Sequence, residues 1–220
     1  MKIILSGYGK MNKELEKLLY SHQLFIVSPE TGLDFKEINE EVDIIIDFSF
    51  HKVIHVISEY LENKKNIKLI IGTTGYTNDE LEIIEKISKN HVVVMSSNFS
   101  KGINMFFSMV KKLAEYNLDD YNIYLLEKHH KYKVDSPSGT SKTIKELVNK
   151  PIKIECIKNG DIIGEHTLDI YLENERLSIS HTAYSRNVFC QGVVDILDSL
   201  VNLKPGFYSL EDLNLWKEKK

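Results

Sequence analysis

Residues 2–12, "KIILSGYGKMN", run from an apolar β-rich stretch through two glycines into a helical pattern. Gly7 permits a tight turn, and Gly9 lets the backbone approach a negatively charged group. Met11, Leu15, Leu18 and Leu19 then share one face of the helix that follows. The first N–H groups of such a helix have no partner within it, so this arrangement receives a pyrophosphate well. A plain strand-to-helix turn has the same appearance, and Asn12 stands where the dinucleotide fingerprint has its third glycine.

The next strands narrow the choice. "LFIV", "VDIIIDFS", "KLIIGTTG" and "HVVVMSS" follow in order, mostly separated by amphipathic stretches such as residues 80–88. Continuous apolar strands alternating with helices predict a parallel sheet covered on both faces. In such a sheet ligands sit at the carboxyl ends of the strands. Those ends read Gly7-Tyr8-Gly9, Asp47-Phe48-Ser49, Gly72-Thr73-Thr74-Gly75 and Ser96-Ser97-Asn98, all small or polar enough to line a nucleotide crevice. The end of the second strand, "FIVSPETG", carries Glu30 slightly late and no arginine, so it selects neither a free ribose 2′-hydroxyl nor a 2′-phosphate.

After "SSNFSKG" the pattern changes. Ile103, Phe106, Phe107, Val110, Leu113 and Ala114 form a helical stripe with one buried face. "NIYLLEKH", "IKIECIK", "EHTLDIYLE" and "RLSISHTA" read as antiparallel strands, with Asn159-Gly160 as a hairpin-turn signal. Val193, Ile196, Leu197, Leu200 and Val201 mark a last helix that stops before Pro205-Gly206. The fold class is therefore α/β: a Rossmann-like parallel-sheet unit, then a smaller α+β unit with an open, mostly antiparallel sheet.

Composition sets outer bounds. A net charge of −4 argues against a general nucleic-acid binder. No apolar run approaches the roughly eighteen residues of a membrane span. Cys156 and Cys190 make neither a disulfide framework nor a CxxC motif, as expected of a cytoplasmic protein.

The chemistry concentrates in "EKHHKYKVDSPSGTS", residues 127–141. A metal site needs converging ligands, yet His129 and His130 are adjacent and point to opposite sides of a strand, and no cysteine lies near. No metal is expected. His129 and Lys133 have an even spacing that puts both on one strand face. Ser136 precedes Pro137 and is expected to be extended, and Ser138-Gly139-Thr140-Ser141 opens a short helix with hydroxyl caps at hand. A titratable base, a fixed cation and a helix N-terminus together suit a small anionic substrate. His51, His55, His91 and His166 read as surface or structural histidines.

This stretch closely resembles the Glu-x-His-His-x-x-Lys-x-Asp-x-Pro-Ser-Gly-Thr signature of the 4-hydroxy-tetrahydrodipicolinate (dihydrodipicolinate) reductase family. "GYGKMN", "DFS", "GTTG", "SSNFSKGIN", "NGDIIGEH" and "SHTAYSRNVFCQG" fall in that family's order. The resemblance implies reduction of a cyclic unsaturated dicarboxylate by NADH or NADPH in lysine and diaminopimelate biosynthesis. It gives His129 the role of acid/base and Lys133 that of proton donor, with His130, Ser138, Gly139, Thr140 and Arg186 at the substrate. It assigns dinucleotide contacts to Gly7, Tyr8, Gly9, Lys10, Met11 and Asn12, to Phe48, to Gly72, Thr73 and Thr74, and to Ser96, Ser97, Asn98 and Phe99. It further implies a discontinuous dinucleotide-binding domain of residues 1–100 and 187–220, and a substrate-binding and oligomerisation domain of residues 101–186. The open sheets of four subunits pair into a homotetramer in this family. Asn12 and Lys158, the latter where the family often has arginine, are departures.

Overall fold

A computed structural model of the chain describes residues 1–213. Two compact units divide it: Met1–Phe99 with the chain from Phe189 onward, and Ser100–Val188.

Unit 1 is built on β1 (Lys2–Ser6), α1 (Lys10–Leu18), β2 (Gln23–Val27), β3 (Ile44–Asp47), α2 (Val53–Leu61), β4 (Lys68–Ile71), α3 (Asn78–Ser88) and β5 (Val92–Met95). Its strands, all parallel, lie in the order β2-β1-β3-β4-β5, with a sixth strand beyond β5. The order reverses between β1 and β3, which places the topological switch point beside Gly7 and Asp47. Ile and Val dominate because each central strand is buried on both faces; Ile3, Ile4, Leu5, Ile45, Ile46, Leu69 and Ile70 are fully buried. One side of the sheet packs Ile3, Leu5, Ile46 and Val94 against Leu15 and Leu19 of the α1 segment. The other packs Ile4, Ile45 and Leu69 against Ile54, Ile57 and Ile84 of α2 and α3. Between β2 and β3 the crossover is a short 3-10 turn, Phe35–Glu37, rather than a full helix.

Unit 2 comprises α4 (Lys101–Leu113), β6 (Asn122–His129), α5 (Gly139–Val148), β7 (Lys153–Lys158), β8 (Gly164–Tyr171) and β9 (Arg176–Ala183), with the sheet order β7-β6-β8-β9. Ile123, Leu125, Leu168 and Ile170 alternate onto one face and pack against Ile103, Phe106 and Val110 of α4 and Ile144 and Val148 of α5.

Two sequence expectations change here. β7 pairs with β6 in parallel, not antiparallel, because α5 connects them as a crossover and returns the chain to the starting edge. Asn159-Gly160 is accordingly no hairpin between neighbouring strands. It arches past the end of β6, with the Asn159 N–H donating to the His129 carbonyl at 2.9 Å and the Lys131 N–H to the Gly160 carbonyl at 3.2 Å. Gly160 has the positive φ, 52°, that the turn signal anticipates.

The last helix, α6 (Asn187–Leu200), starts at the second passage of the chain and sends Cys190, Val193, Ile196, Leu197 and Leu200 into the unit 1 core. Val201, expected on its apolar stripe, is 57% exposed. Gly192 lets this helix pass the Phe99 carbonyl, which a Cβ would meet at 1.8 Å. Beyond Pro205 the chain adds β10 (Gly206–Tyr208) to β5, a strand too short to show a period in sequence.

Candidate active site

In unit 1 the loops at the strand ends are locked to one another. Gly7 adopts φ +91°, and a Cβ there would lie 2.9 Å from the Phe48 carbonyl and 3.0 Å from Ser49 Cβ, so both conformation and space demand glycine. Gly9 is different. It is the N-cap of α1 at φ −74°, with nothing within 4 Å of a Cβ, and it leaves the first turn of the helix open to an approaching group. That open approach at a helix N-terminus fits a dinucleotide pyrophosphate. Asn12, in place of the third glycine, is fully buried and donates its side-chain amide to the Ser6 and Gly7 carbonyls at 2.6 and 2.9 Å. It fastens the helix to the turn that a glycine would merely have let approach.

Asp47, at the end of β3, ties the neighbouring loops together. Its fully buried carboxylate accepts from the Ser49 hydroxyl and from Tyr76 Oη at 3.3 Å. Thr73 Oγ1 accepts from the Ser49 N–H at 2.9 Å. Burial pushes the Asp47 carboxyl above its ordinary range, against the hydrogen bonds from Ser49, Thr73, Ser6 and Tyr76. Phe48 lies over Gly72, where a Cβ would meet the ring at 1.9 Å, and meets Phe99 edge-on at 5.9 Å. Of the expected dinucleotide contacts, Gly9, Lys10 and Thr74 are exposed, while Gly7, Tyr8, Phe48, Gly72, Ser96, Ser97 and Asn98 are half-buried. Met11 packs against the core and Asn12, Thr73 and Phe99 are buried, so the side chains of these four face the protein. Tyr8 is held by Glu16, which accepts its hydroxyl at 3.2 Å, and by Lys13 at 4.6 Å from its ring.

In unit 2, β6 alternates strictly, so Glu127 and His129 fall on the buried face with Ile123 and Leu125. Glu127 is 1% exposed. Its carboxylate accepts from the Ser138 N–H at 3.1 Å and from the hydroxyls of Ser138 and Ser141. Ser138 is the N-cap of α5, and its hydroxyl also accepts from the Ser141 N–H at 3.1 Å. The helix N-terminus thus holds an internal carboxylate, and Ser138, expected at the substrate, turns its side chain inward to Glu127. Gly139 is half-buried and Thr140 buried at the same helix end.

His129 is 8% exposed, and its ring meets that of His166 at 5.1 Å and 72°. His166, from β8, has Nε2 3.3 Å from Ser138 Oγ and 3.9 Å from Glu127. Burial lowers His129 to about 4, with Lys133 adding to the effect and Glu127 opposing it. Burial also lowers His166 to about 3, helped by the charge of His129. For Glu127, burial works upward but is overcome by hydrogen bonds from Ser138, Ser141 and Cys156, which hold it at about 2.

The expected shared strand face of His129 and Lys133 is also corrected. β6 ends at His129, a turn covers residues 131–132, and the Lys133 N–H donates to the His130 carbonyl at 3.1 Å. Lys133 therefore acts on His129 from a loop. Its ammonium lies 3.7 Å from Asp135, and Lys158 steadies the loop by donating to the Val134 carbonyl at 3.1 Å. The Ser136–Pro137 peptide is cis. His130 is half-buried with Tyr132 at 6.4 Å between ring centroids, and Arg186 is half-buried in the turn before α6.

Sequence reasoning gave no site role to Glu127 or His166, and named Asp47 only as a polar strand end and Ser141 only among the hydroxyls that open α5. Glu127 had a signal, since it lies two residues before His129 on the same strand face. His166 had none, because only the β6–β8 register sets it opposite Glu127. Of the two expected readings, surface or structural, it takes the structural one, buried beside His129. Glu127, His129 and His166 do converge, with possible ligand atoms within 4.8 Å of one another. The hydroxyls and N–H that point at Glu127 are donors, so a cation there would have to displace them.

A parallel sheet with a glycine turn after β1, followed in one chain by a smaller open sheet, is a fold shared with the solved aspartate dehydrogenase from Thermotoga maritima, which aligns with a TM-score of 0.58 at 12% identity, covering 93% of this chain and 98% of the other. Family models describing the N-terminus and C-terminus of dihydrodipicolinate reductase match residues 1–99 and 102–213. A 4-hydroxy-tetrahydrodipicolinate reductase from Caldanaerobacter subterraneus subsp. tengcongensis is 36% identical over 97% of this chain and 98% of its own. Another from Thermosipho africanus is 38% identical over 84% of this chain and 86% of its own. Among solved structures, dipicolinate-bound dihydrodipicolinate reductase from Paenisporosarcina sp. TG-14 aligns with a TM-score of 0.69 at 16% identity, covering 95% of this chain and 97% of the other. The chain belongs to the dihydrodipicolinate reductase family.

The two depressed imidazoles set the acid response of unit 2. Below the ordinary histidine range the unfolded chain takes up protons on His129 and His166, while the folded chain resists until about 4 and about 3. Stability contributed by these groups is therefore present at neutral pH and lost on acidification through pH ~6.5. Glu127 withdraws its own contribution only as the pH falls from about 4.5 towards about 2. Amide protection in β6 and β8, corrected for intrinsic exchange, is expected to fall between pH 7 and 4.5. Constant protection over that interval would mean that the two imidazoles are not held neutral by the fold.

Proposed function

We propose that the chain reduces 4-hydroxy-tetrahydrodipicolinate to tetrahydrodipicolinate, with NADH or NADPH as reductant, in lysine and diaminopimelate biosynthesis in the cytoplasm. In balance, substrate, NAD(P)H and a proton give product, NAD(P)+ and water. The observation that carries the reading is the gathering of a buried, depressed imidazole, a loop ammonium and a helix N-terminus in unit 2, in the signature order of the family. The names and lengths of the relatives support the same reaction. No described helix is long and apolar enough to cross a membrane.

The discontinuous unit 1 is the dinucleotide-binding domain and unit 2 the substrate domain. The open first turn of α1 at Gly9, with Gly7, Tyr8, Lys10 and the loops bearing Phe48, Gly72–Thr74 and Ser96–Asn98, would hold the dinucleotide. When bound it supplies a hydride, and the substrate ring gains negative charge at nitrogen as the hydride arrives. Lys133 stabilises that charge and donates the proton, with His129 as acid/base. The backbone of Gly139 and Thr140, at the positive end of α5, together with His130 and Arg186, binds the carboxylates. Lys133 lowers His129 in the free protein, and a bound dianion raises it towards the range where an imidazolium persists. Met11, Asn12, Thr73, Phe99 and Ser138 act from beneath, as packing and hydrogen-bonding supports of these two surfaces.

A coupled assay tests this. Purified protein is mixed with dihydrodipicolinate synthase and its two substrates, and coenzyme absorbance is followed. Both NADH and NADPH are expected to be oxidised, within about tenfold of each other, since Glu30 is the sole acidic candidate near the second strand's end and one tenfold step is only ~1.4 kcal/mol. His129→Gln is expected to lower kcat by roughly 10²–10⁴ with little change in KM. Lys133→Ala should impair both, by roughly 2–4 kcal/mol at the transition state. No coenzyme oxidation by the wild type, or full turnover in both variants, would refute the assignment.

The second sheet face of unit 2 supports a homotetramer. Helices α4 and α5 pack one face, while Tyr124, Leu126, Ile157, Thr167 and Tyr171 stand on the other. Leu126→Arg is expected to shift the sedimentation of the purified protein from tetramer towards smaller species. A wild-type monomer, or a variant that remains tetrameric, would contradict pairing through this face.

A further inference from the structure

Glu127 is a multiply hydrogen-bonded carboxylate that is 1% exposed, too deep to be a substrate contact. It receives the Ser138 N–H, the Ser138 hydroxyl and the Ser141 hydroxyl, all from the first turn of α5. It also stands two residues before His129 on the same face of β6 and opposite His166 of β8. One side chain therefore joins the strand that carries the acid/base to the helix end that receives the anion.

We infer that Glu127 is a positioning residue that holds the first turn of α5 against β6 and supplies the fixed negative charge that keeps His129 able to take a proton. The inference rests on the proposed reductase reading for its effect on turnover, but not for its effect on His129 itself.

The physical argument has two parts. First, α5 packs on the sheet through Ile144 and Val148 further along the helix, while at its first turn the donors of Ser138 and Ser141 converge on Glu127. Donors that converge on one buried carboxylate fix its position, because each lost bond would leave a charged group unsatisfied in the interior. Second, His129 is surrounded by positive or protonatable groups. Lys133 and His130 face it from the loop, Lys158 from β7 and His166 from β8, with His181 of β9 behind His166. Glu127 is the sole negative charge in that set. Burial and the ammonium groups of Lys133 and Lys158 favour the neutral imidazole, so without Glu127 a proton on His129 would lose the one negative charge in that set. The hydrogen bonds from Ser138, Ser141 and Cys156 keep Glu127 ionised while it plays this part.

The alternative is a purely structural brace, and the two make different predictions. Glu127→Gln keeps the size and can still accept the Ser138 N–H, while its amide can donate to Ser141, so it removes the charge with most of the bonding retained. The titration of His129 is followed by imidazole NMR in the free protein, beside kcat and KM. If Glu127 supplies the counter-charge, the His129 midpoint falls below its wild-type value. kcat then falls at least about tenfold while the KM for substrate moves less than about threefold. If Glu127 is only a brace, the variant loses thermal stability but the His129 midpoint and kcat per folded molecule stay where they were, and the inference is overturned.

Ser141→Ala covers the case in which the Gln variant does not fold. It removes one donor and leaves the charge, so His129 should titrate as in the wild type. Dipicolinate, used as a stable dicarboxylate probe, should bind on the order of three- to tenfold more weakly as the turn loosens. Unchanged dipicolinate binding would refute the positioning role. Should the wild type show no reductase activity, the proposed function fails, and the His129 titrations still decide the role of Glu127.

Discussion

The candidate site of unit 2 depends on one buried hydrogen-bonded anion. Glu127 sits where β6, β8 and the start of α5 meet, and each of the three is oriented by it or by its neighbour His166. An ionised carboxylate in such a place is tolerable only because the donors around it are numerous and well aimed. Once those bonds exist, the helix end cannot drift from the strand, and His129 is held in a dry environment with its charge balance set by Glu127 on one side and Lys133 on the other. A helix end that could move would leave the proposed anion cradle with no fixed relation to His129, the proposed acid/base.

Unit 1 solves a similar problem with the same device. Asp47 is buried at the end of β3, beside the switch point of the sheet, and draws Ser49 and Tyr76 onto its carboxylate while Thr73 bonds the backbone next to it. Asn12 does for the first loop what Asp47 does for the second and third. The glycines contribute by absence: Gly7 and Gly72 admit the Ser49 and Phe48 side chains, and Gly9 leaves open space. The loops that would receive a dinucleotide are thus preorganised by groups beneath them, which lowers the ordering cost of binding.

Much of this was legible in the sequence, for physical reasons that can be named. The parallel sheet announced itself because strands buried on both faces must be apolar throughout, and the glycines of "SGYG" punctuate the first turn. The His-His-Lys stretch was found by its concentration of chemistry. What could not be read was partnership across distance. Nothing local says that "IKIECIK" runs parallel to "NIYLLEKH"; that follows from the direction in which α5 returns the chain. Asn159-Gly160 declared a turn with positive φ and was silent about which strand end it crosses. His129 and Lys133 have even spacing in sequence, but the strand ends before the second of them. His166 looked like any other histidine until the β6–β8 register set it opposite Glu127. Ser138 looked like an anion donor, and its donors proved to be committed to an anion already within the fold.

The central claim is that unit 2 is a dicarboxylate pocket that controls the protonation of His129. It is tested most directly by titrating the His129 imidazole by NMR in free protein and in protein saturated with dipicolinate and coenzyme. The free protein should give a midpoint near the value of about 4 set by burial and Lys133, and the ligands should raise it clearly, because a bound dianion favours the imidazolium. A His129 that titrates like an exposed imidazole in the free protein, or one whose midpoint does not move when the dicarboxylate binds, would contradict the account.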